Sequence, residues 1–228
     1  MSGKTSFDFG TLSERQKYKL LIGAVVPRPI ALVTTIDPEG RTNAAPFSFF
    51  NCLSAEPAIL ALGVENHEDM AFKDTARNIR QTGEFTVNIV SARILHAMNV
   101  CAVPFAPGID ELQEAGLTAM AGDKVACPRI GESPVAFECR QHVTLEIGAS
   151  RQIILGEVLA AHIDATLVND RFHIDPHGLD AIGRMGGHGY ARTRDYFDLP
   201  TMSVAEWDDV KRTASGGPNP RSNRMERR

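Results

Sequence analysis

AVVPRPIALVTTIDPEGRTNAAPFSFFN, residues 24–51, reads as strand, tight turn, strand. The β-branched, apolar run Ile30–Ile36 leads into Asp37-Pro38-Glu39-Gly40, whose Asp, Pro and Gly suit the first, second and fourth positions of a β-turn. The returning strand ends in small, hydroxyl and amide groups, Ala44, Ala45, Ser48 and Asn51. KDTARNI, residues 73–79, then opens a helix at Lys73-Asp74-Thr75. There free backbone N–H groups, a hydroxyl and a cation can meet an anion. A flat apolar surface beside a phosphate-sized anion site suits a mononucleotide cofactor.

The ordered motifs VPRPIALVTT, NAAPFSFFN and KDTARNI, with EFTVNIV behind them, resemble the flavin reductase-like family of FMN-binding split barrels from Tyr18 to Leu199. The resemblance implies a mainly β fold with peripheral helices, an antiparallel split β-barrel that forms a homodimer with one FMN per subunit. It also implies NADH or NADPH as a transient co-substrate passing hydride to FMN, with reduced flavin able to serve a partner monooxygenase. The same fold could instead hold FMN as an electron carrier, or act as a flavin-binding module without nicotinamide activity.

Candidate site residues follow, each with a plainer alternative. Arg28, held extended between Pro27 and Pro29, could pair with the cofactor phosphate or the flavin pyrimidine edge, or be a rigid strand entry. Ser48 and Asn51 offer a hydroxyl and an amide to the flavin or its ribityl chain, whereas Phe47, Phe49 and Phe50 suit the core or a dimer interface. Thr75 and Asn78, three apart on one helical face, are phosphate candidates by the family pattern, with Lys73 beside them; simple capping uses the same N–H groups. Arg184, His188 and Tyr190 belong to GRMGGHGY, which resembles a late family segment close to the flavin or the dimer partner. This segment looks too glycine-rich for a regular element. His188 is the one candidate proton donor or nicotinamide contact; its alternative is an exposed imidazole on a loop.

Other chemistries lack support. No G-x-G-x-x-G, H-E-x-x-H or G-x-S-x-G occurs, and Gly3-Lys4-Thr5 has no room upstream for a phosphate loop. His173-x-Asp175-x-His177 is broken by Pro176 and reads as a turn, so no metal site is expected. The net charge is −4, with a local +5 from Lys211 to Arg228 and about −9 on the body, which argues against a nucleic-acid partner. The four cysteines form no C-x-x-C pair, and neither a secretory segment nor a membrane-length apolar run is evident; a soluble cytoplasmic protein is expected.

The chain divides into a lead-in (1–10), a single FMN-binding domain (11–210) and a mobile basic tail (211–228). Within the domain, helices are expected after Ser13, over residues 71–81, 92–100 and 110–115, and strands over 58–64, 84–90, 136–146, 152–163 and 171–174.

Overall fold

The structure, a computed structural model, describes residues 3–106 and 108–214. Ser13 starts α1 (Glu14–Ala24) through a capping box, exchanging hydrogen bonds with Gln16. After β1 (Arg28–Pro29) comes the hairpin of β2 (Ala31–Ile36) and β3 (Thr42–Phe47). Asp37 builds its turn: one carboxylate oxygen accepts the N–H groups of Glu39 and Arg41 at 3.0 and 2.8 Å, and Gly40 takes the positive φ of 85°.

The expected single returning strand to Asn51 is in fact two. It breaks at Ser48-Phe49, and β4 (Phe50–Ala55) pairs with β5 (Ala58–Glu65) instead. Next come α2 (Asp74–Thr82), β6 (Glu84–Ile89), a 3₁₀ turn at Ala92–Ile94, α3 (Leu95–Val100), α4 (Glu111–Glu114), β7 (Ala119–Met120) and β8 (Arg129–Ile130). The long hairpin β9 (Val135–Ile147) and β10 (Arg151–Ile163) precedes α5 (Pro176–Leu179), β11 (Ile182–Arg184) and β12 (Tyr190–Arg192).

One seven-stranded antiparallel sheet organises these elements in the order β3-β2-β6-β9-β10-β5-β4. Its two edges, β3 and β4, are consecutive in the chain. Laid flat, they would lie roughly 29 Å apart at the usual strand spacing. Ser48 and Phe49 can bridge only about 10 Å. The sheet must therefore curl until its edges meet, which makes it a split barrel. Gly63 lets the joint approach: its N–H donates to the Phe49 carbonyl at 2.7 Å, and a Cβ there would stand 2.8 Å from that of Phe49.

The barrel interior is apolar, with Val33, Leu62, Val64, Phe85, Val87 and Ile154 closed at one side by Ala76 and Ile79 of α2. On the other face of β2 and β6, Leu32 meets a second cluster with Ile94, Met98 and Leu112. Thr34, Thr86 and Asn88 on that face are fully buried, and the segment before and into β8 satisfies them: Thr86 donates to the Cys127 carbonyl at 3.1 Å, Thr34 to that of Pro128, and Asn88 accepts from Ile130 N–H at 2.8 Å.

Three local expectations are corrected. The helix expected from residue 71 begins at Asp74, because Lys73 is still extended, with ψ 154°, as its N-cap; Phe72 lies outside it, with the Arg80 guanidinium 4.3 Å above its ring. GRMGGHGY spans a regular hairpin, β11–β12, paired to β1. The expected strand at 171–174 is one isolated bridge, Val168 to Ile174.

Residues through Thr193 form one compact unit, and those from Arg194 a second. The second unit contains α6 (Val204–Ala214), opened by a capping box between Ser203 and Glu206. Lys211 and Arg212 thus stand in a helix, not in the tail assigned to 211–228; residues 215–228 lie outside the described residues. No helix among the described residues is long and apolar enough to cross a membrane.

Candidate functional site

Arg28 is buried, and its guanidinium ties together segments from three parts of the chain. It donates to the Ile22 carbonyl at 2.7 Å and the Val25 carbonyl at 2.9 Å, to Met185 O at 3.3 Å in the β11–β12 loop, and to Ser48 Oγ at 3.4 Å in the barrel joint. Burial lowers its pKa, Tyr18 raises it and Arg184 lowers it, without bringing a guanidinium near neutrality. The structure thus places Arg28 behind the site as a clamp, with four of its five donors spent on protein.

In front of that clamp lies a cavity of about 600 Å³, a volume in the usual ligand range. Pro46, Phe47 and Ser48 supply one wall, and Tyr18 of α1 the rim. Arg184, His188 and Tyr190 come from the β11–β12 hairpin, so that with Ser48 included four of the expected residues meet here. Arg184 stacks 4.4 Å over the Tyr190 ring and donates to the Gly187 carbonyl at 2.9 Å, fixing the hairpin loop. The remaining wall is α3, with His96, Met98 and Asn99. His96 and Asn99 had not been singled out. Their spacing of three in a segment read as a helix was the available signal, but only the tertiary fold turns that face toward Ser48.

Asn51 falls elsewhere. It is exposed on β4 and lines a separate apolar groove of about 470 Å³ with Leu21, Val25, Phe49 and Leu53. Its side-chain oxygen accepts the Cys52 N–H at 2.8 Å.

The α2 residues group differently again. Thr75 and Asn78 are buried at 2% exposure, inside a network with β2 and β3: Asn43 Nδ2 donates to Thr75 Oγ1 at 3.0 Å, and Asn78 Nδ2 to Thr35 Oγ1 at 3.1 Å. Asn78 Oδ1 has no partner, an orphaned buried acceptor. A carbonyl oxygen suits a hydroxyl or water better than a phosphate. Asn78 also lines a small polar cavity of about 150 Å³ with Asn43, the cations Arg41 and Arg77, and the carboxylates of Asp37, Asp74 and Glu111. Lys73 is the helix N-cap, with no side-chain hydrogen bond to the first turn; it lines neither cavity. Asp74 pairs with Arg77 at 2.5 Å instead of capping.

Residues 23–176 match the flavin reductase like domain. The chain belongs to this family. It is 43% identical over 213 residues to a protein of Deinococcus radiodurans, covering 90% of this chain and 93% of that one. Its fold is similar to component B of nitrilotriacetate monooxygenase from Bacillus cereus, with TM-score 0.84 and 30% identity over 87% of this chain and all of the other. It is also similar to the 2-nitrobenzoate 2-nitroreductase NbaA of Pseudomonas fluorescens, with TM-score 0.81 and 32% identity over 88% and 98%.

This flavin reductase-like chain also contains a cluster remote in role from the cavities. Asp123, Glu138 and His162 bring ligand atoms within 4.8 Å of one another. Glu138 is fully buried, yet its carboxylate is spoken for by the Asp123, Lys124 and Val125 N–H groups at 2.6–2.9 Å and by His162. Burial alone would raise its pKa; these hydrogen bonds overcome that and bring it to about 2. The group anchors the segment before β8. Burial pushes the Cys101, Cys127 and Cys139 thiols to about 12, so they are packing groups and not nucleophiles.

Proposed function

We propose that the protein is an NAD(P)H-dependent flavin reductase with FMN as its flavin. The observation that carries this reading is the placement of two cavities along β3. Asn43 lines the small polar one, and Pro46, Phe47 and Ser48 the large one. Asn43 and Ser48 are separated by roughly 15 Å of extended strand. An elongated ligand with a polar end and an aromatic end fits that spacing.

FMN fits these donors. The first turn of α2 lacks a side-chain cap and leaves its N–H groups free, with Lys73 at the N-cap; a phosphate there would compete with Asp74 for Arg77. Asn78 Oδ1 suits a ribityl hydroxyl, and Thr75 holds the Asn43 amide in place. Pro46 and Phe47 offer a ring face, with Ser48, Arg184 and Tyr190 as polar contacts. When bound, FMN supplies the hydride-accepting ring. The chain's own part is to orient that ring, exclude water and admit the donor, with His188 on the glycine-rich loop able to reach the cavity as a donor contact.

Loading the protein with FMN or riboflavin tests the phosphate end: loss of its charge-assisted contacts should weaken riboflavin roughly ten- to hundred-fold relative to FMN. The FMN-loaded protein should bleach anaerobically with NADH or NADPH, and more slowly when the transferred hydrogen is deuterium. An absence of bleaching by either, at full FMN occupancy, would move the reading to an electron carrier or flavin-binding module. Supply of reduced flavin to a partner monooxygenase belongs to this proposal, supported by the likeness to a monooxygenase component. A cytoplasmic home is supported by the four free cysteines.

The homodimer is likewise proposed. The apolar groove exposes Val25 and Leu53 at 60% and 62%, and β9 exposes Leu145 and Ile147 at 48% and 50%, more apolar side chains than a monomer usefully shows to water. Light scattering should give close to twice 24.8 kDa; a monomer mass at micromolar concentration would reject it.

A further inference from the structure

The large cavity carries a charge pattern of which the flavin reading uses only the β11–β12 side. Its lining includes Arg184, His96 and His188 and, among the described residues, no Asp or Glu. That is notable in a chain with 28 acidic residues against 24 Lys and Arg. Such a wall selects for anions.

The cation-capable groups are not equivalent. Arg184 is engaged by Tyr190 and the Gly187 carbonyl. His96 and Asn99, one helical turn apart on α3, are both exposed toward the cavity, and among the described residues neither side chain makes a hydrogen bond or ion pair. An imidazole and an amide together offer adjacent donors across from the Pro46–Ser48 wall, the wall on which the flavin ring is proposed to rest. Whatever docks against that ring from the open side meets α3.

We propose that His96 and Asn99 form the subsite for a phosphate of the dinucleotide electron donor, separate from the residues that hold the flavin. The inference rests on the reductase reading. The phosphate is either the pyrophosphate, common to NADH and NADPH, or the 2′-phosphate of NADPH alone; the experiment distinguishes them.

His96→Ala and Asn99→Ala remove exposed side chains without a hydrogen bond or ion pair among the described residues. On FMN-loaded protein, calorimetry gives dissociation constants for NAD⁺ and NADP⁺, steady-state rates give KM for NADH and NADPH, and fluorescence quenching gives FMN affinity. His96→Ala should weaken the dinucleotide roughly ten-fold, Asn99→Ala less, with FMN affinity unchanged within about two-fold. Weakening of both dinucleotides assigns the pyrophosphate; weakening of NADP(H) alone assigns the 2′-phosphate. Unchanged binding of both donors overturns the subsite while leaving the reductase standing. A loss of FMN affinity as large as the loss of donor affinity overturns it too, because α3 would then be part of the flavin wall. If the wild-type, fully FMN-loaded protein binds and oxidises neither dinucleotide, the reductase reading falls and the subsite with it.

Discussion

Replacing Arg28 by alanine should lower the melting temperature by roughly 10 °C and cost most of the flavin affinity. The reasoning is local. The guanidinium serves the buried carbonyl of Ile22 and the part-buried carbonyls of Val25 and Met185, and its loss strands the first and leaves the other two only partly hydrated. At about 1–3 kcal/mol for each stranded polar group, partly relieved by relaxation, the net cost is about 4 kcal/mol. Flavin affinity should fall with it, since α1, the Ser48 joint and the hairpin loop are three sides of one cavity and Arg28 holds all three. Arg28→Lys should rescue little: one ammonium keeps the charge but cannot span acceptors on different segments. Thermal unfolding beside FMN titration decides the matter. A variant as stable as wild type that has lost only FMN would show that Arg28 touches the cofactor and is no clamp.

Glu138→Gln should destabilise the protein by about 3 kcal/mol at pH 7, through a mechanism with a clear pH signature. The folded pKa of about 2, against an ordinary glutamate value of 4.5, means that the folded state holds the ionised form more tightly. This contribution is fully present above about pH 4.5 and is lost as pH falls toward 2, a slope worth about 3 kcal/mol across the window. Gln removes the charge and turns an N–H₂ group toward backbone N–H donors. The difference in unfolding free energy between variant and wild type should therefore be largest near neutrality and shrink in acid. A difference independent of pH between 7 and 3 would assign the loss to packing alone. The segment 121–130 should be the first to gain hydrogen exchange, because Glu138 holds its N–H groups.

How much could be read beforehand followed the range of the interactions. The Asp37 turn, the Ser13 cap and the alternation of residues 84–90 are local chemistry, and they emerged where expected. The break at Ser48-Phe49 carries no glycine, proline or turn-forming pair. It exists because two distant sheet edges close, which no window of neighbouring residues encodes. GRMGGHGY was misread for a related reason: Gly183 is glycine because a Cβ would stand 2.5 Å from Pro27, not because the chain there is loose. The helix at 204–214 did carry a local signal, Ser203 three residues before Glu206. Among site residues, Ser48, Arg184, His188 and Tyr190 converge, whereas Arg28 and Thr75 spend their side chains on protein. A sequence shows which groups can bind; their prior commitments depend on neighbours far along the chain.

The two-residue joint that closes the barrel also has a thermodynamic meaning. Ser48 sits where β3 and β4 meet, and it lines both the large cavity and the apolar groove beside it. A ligand that binds only the closed seam must stabilise closure by the same free energy with which closure favours the ligand. The apoprotein should then breathe at this seam first, and cofactor loading should act as a latch on the whole sheet. Tolerance of this chain to mutation would accordingly depend on flavin supply: variants that open the seam could still fold where flavin is abundant, and fail where it is scarce.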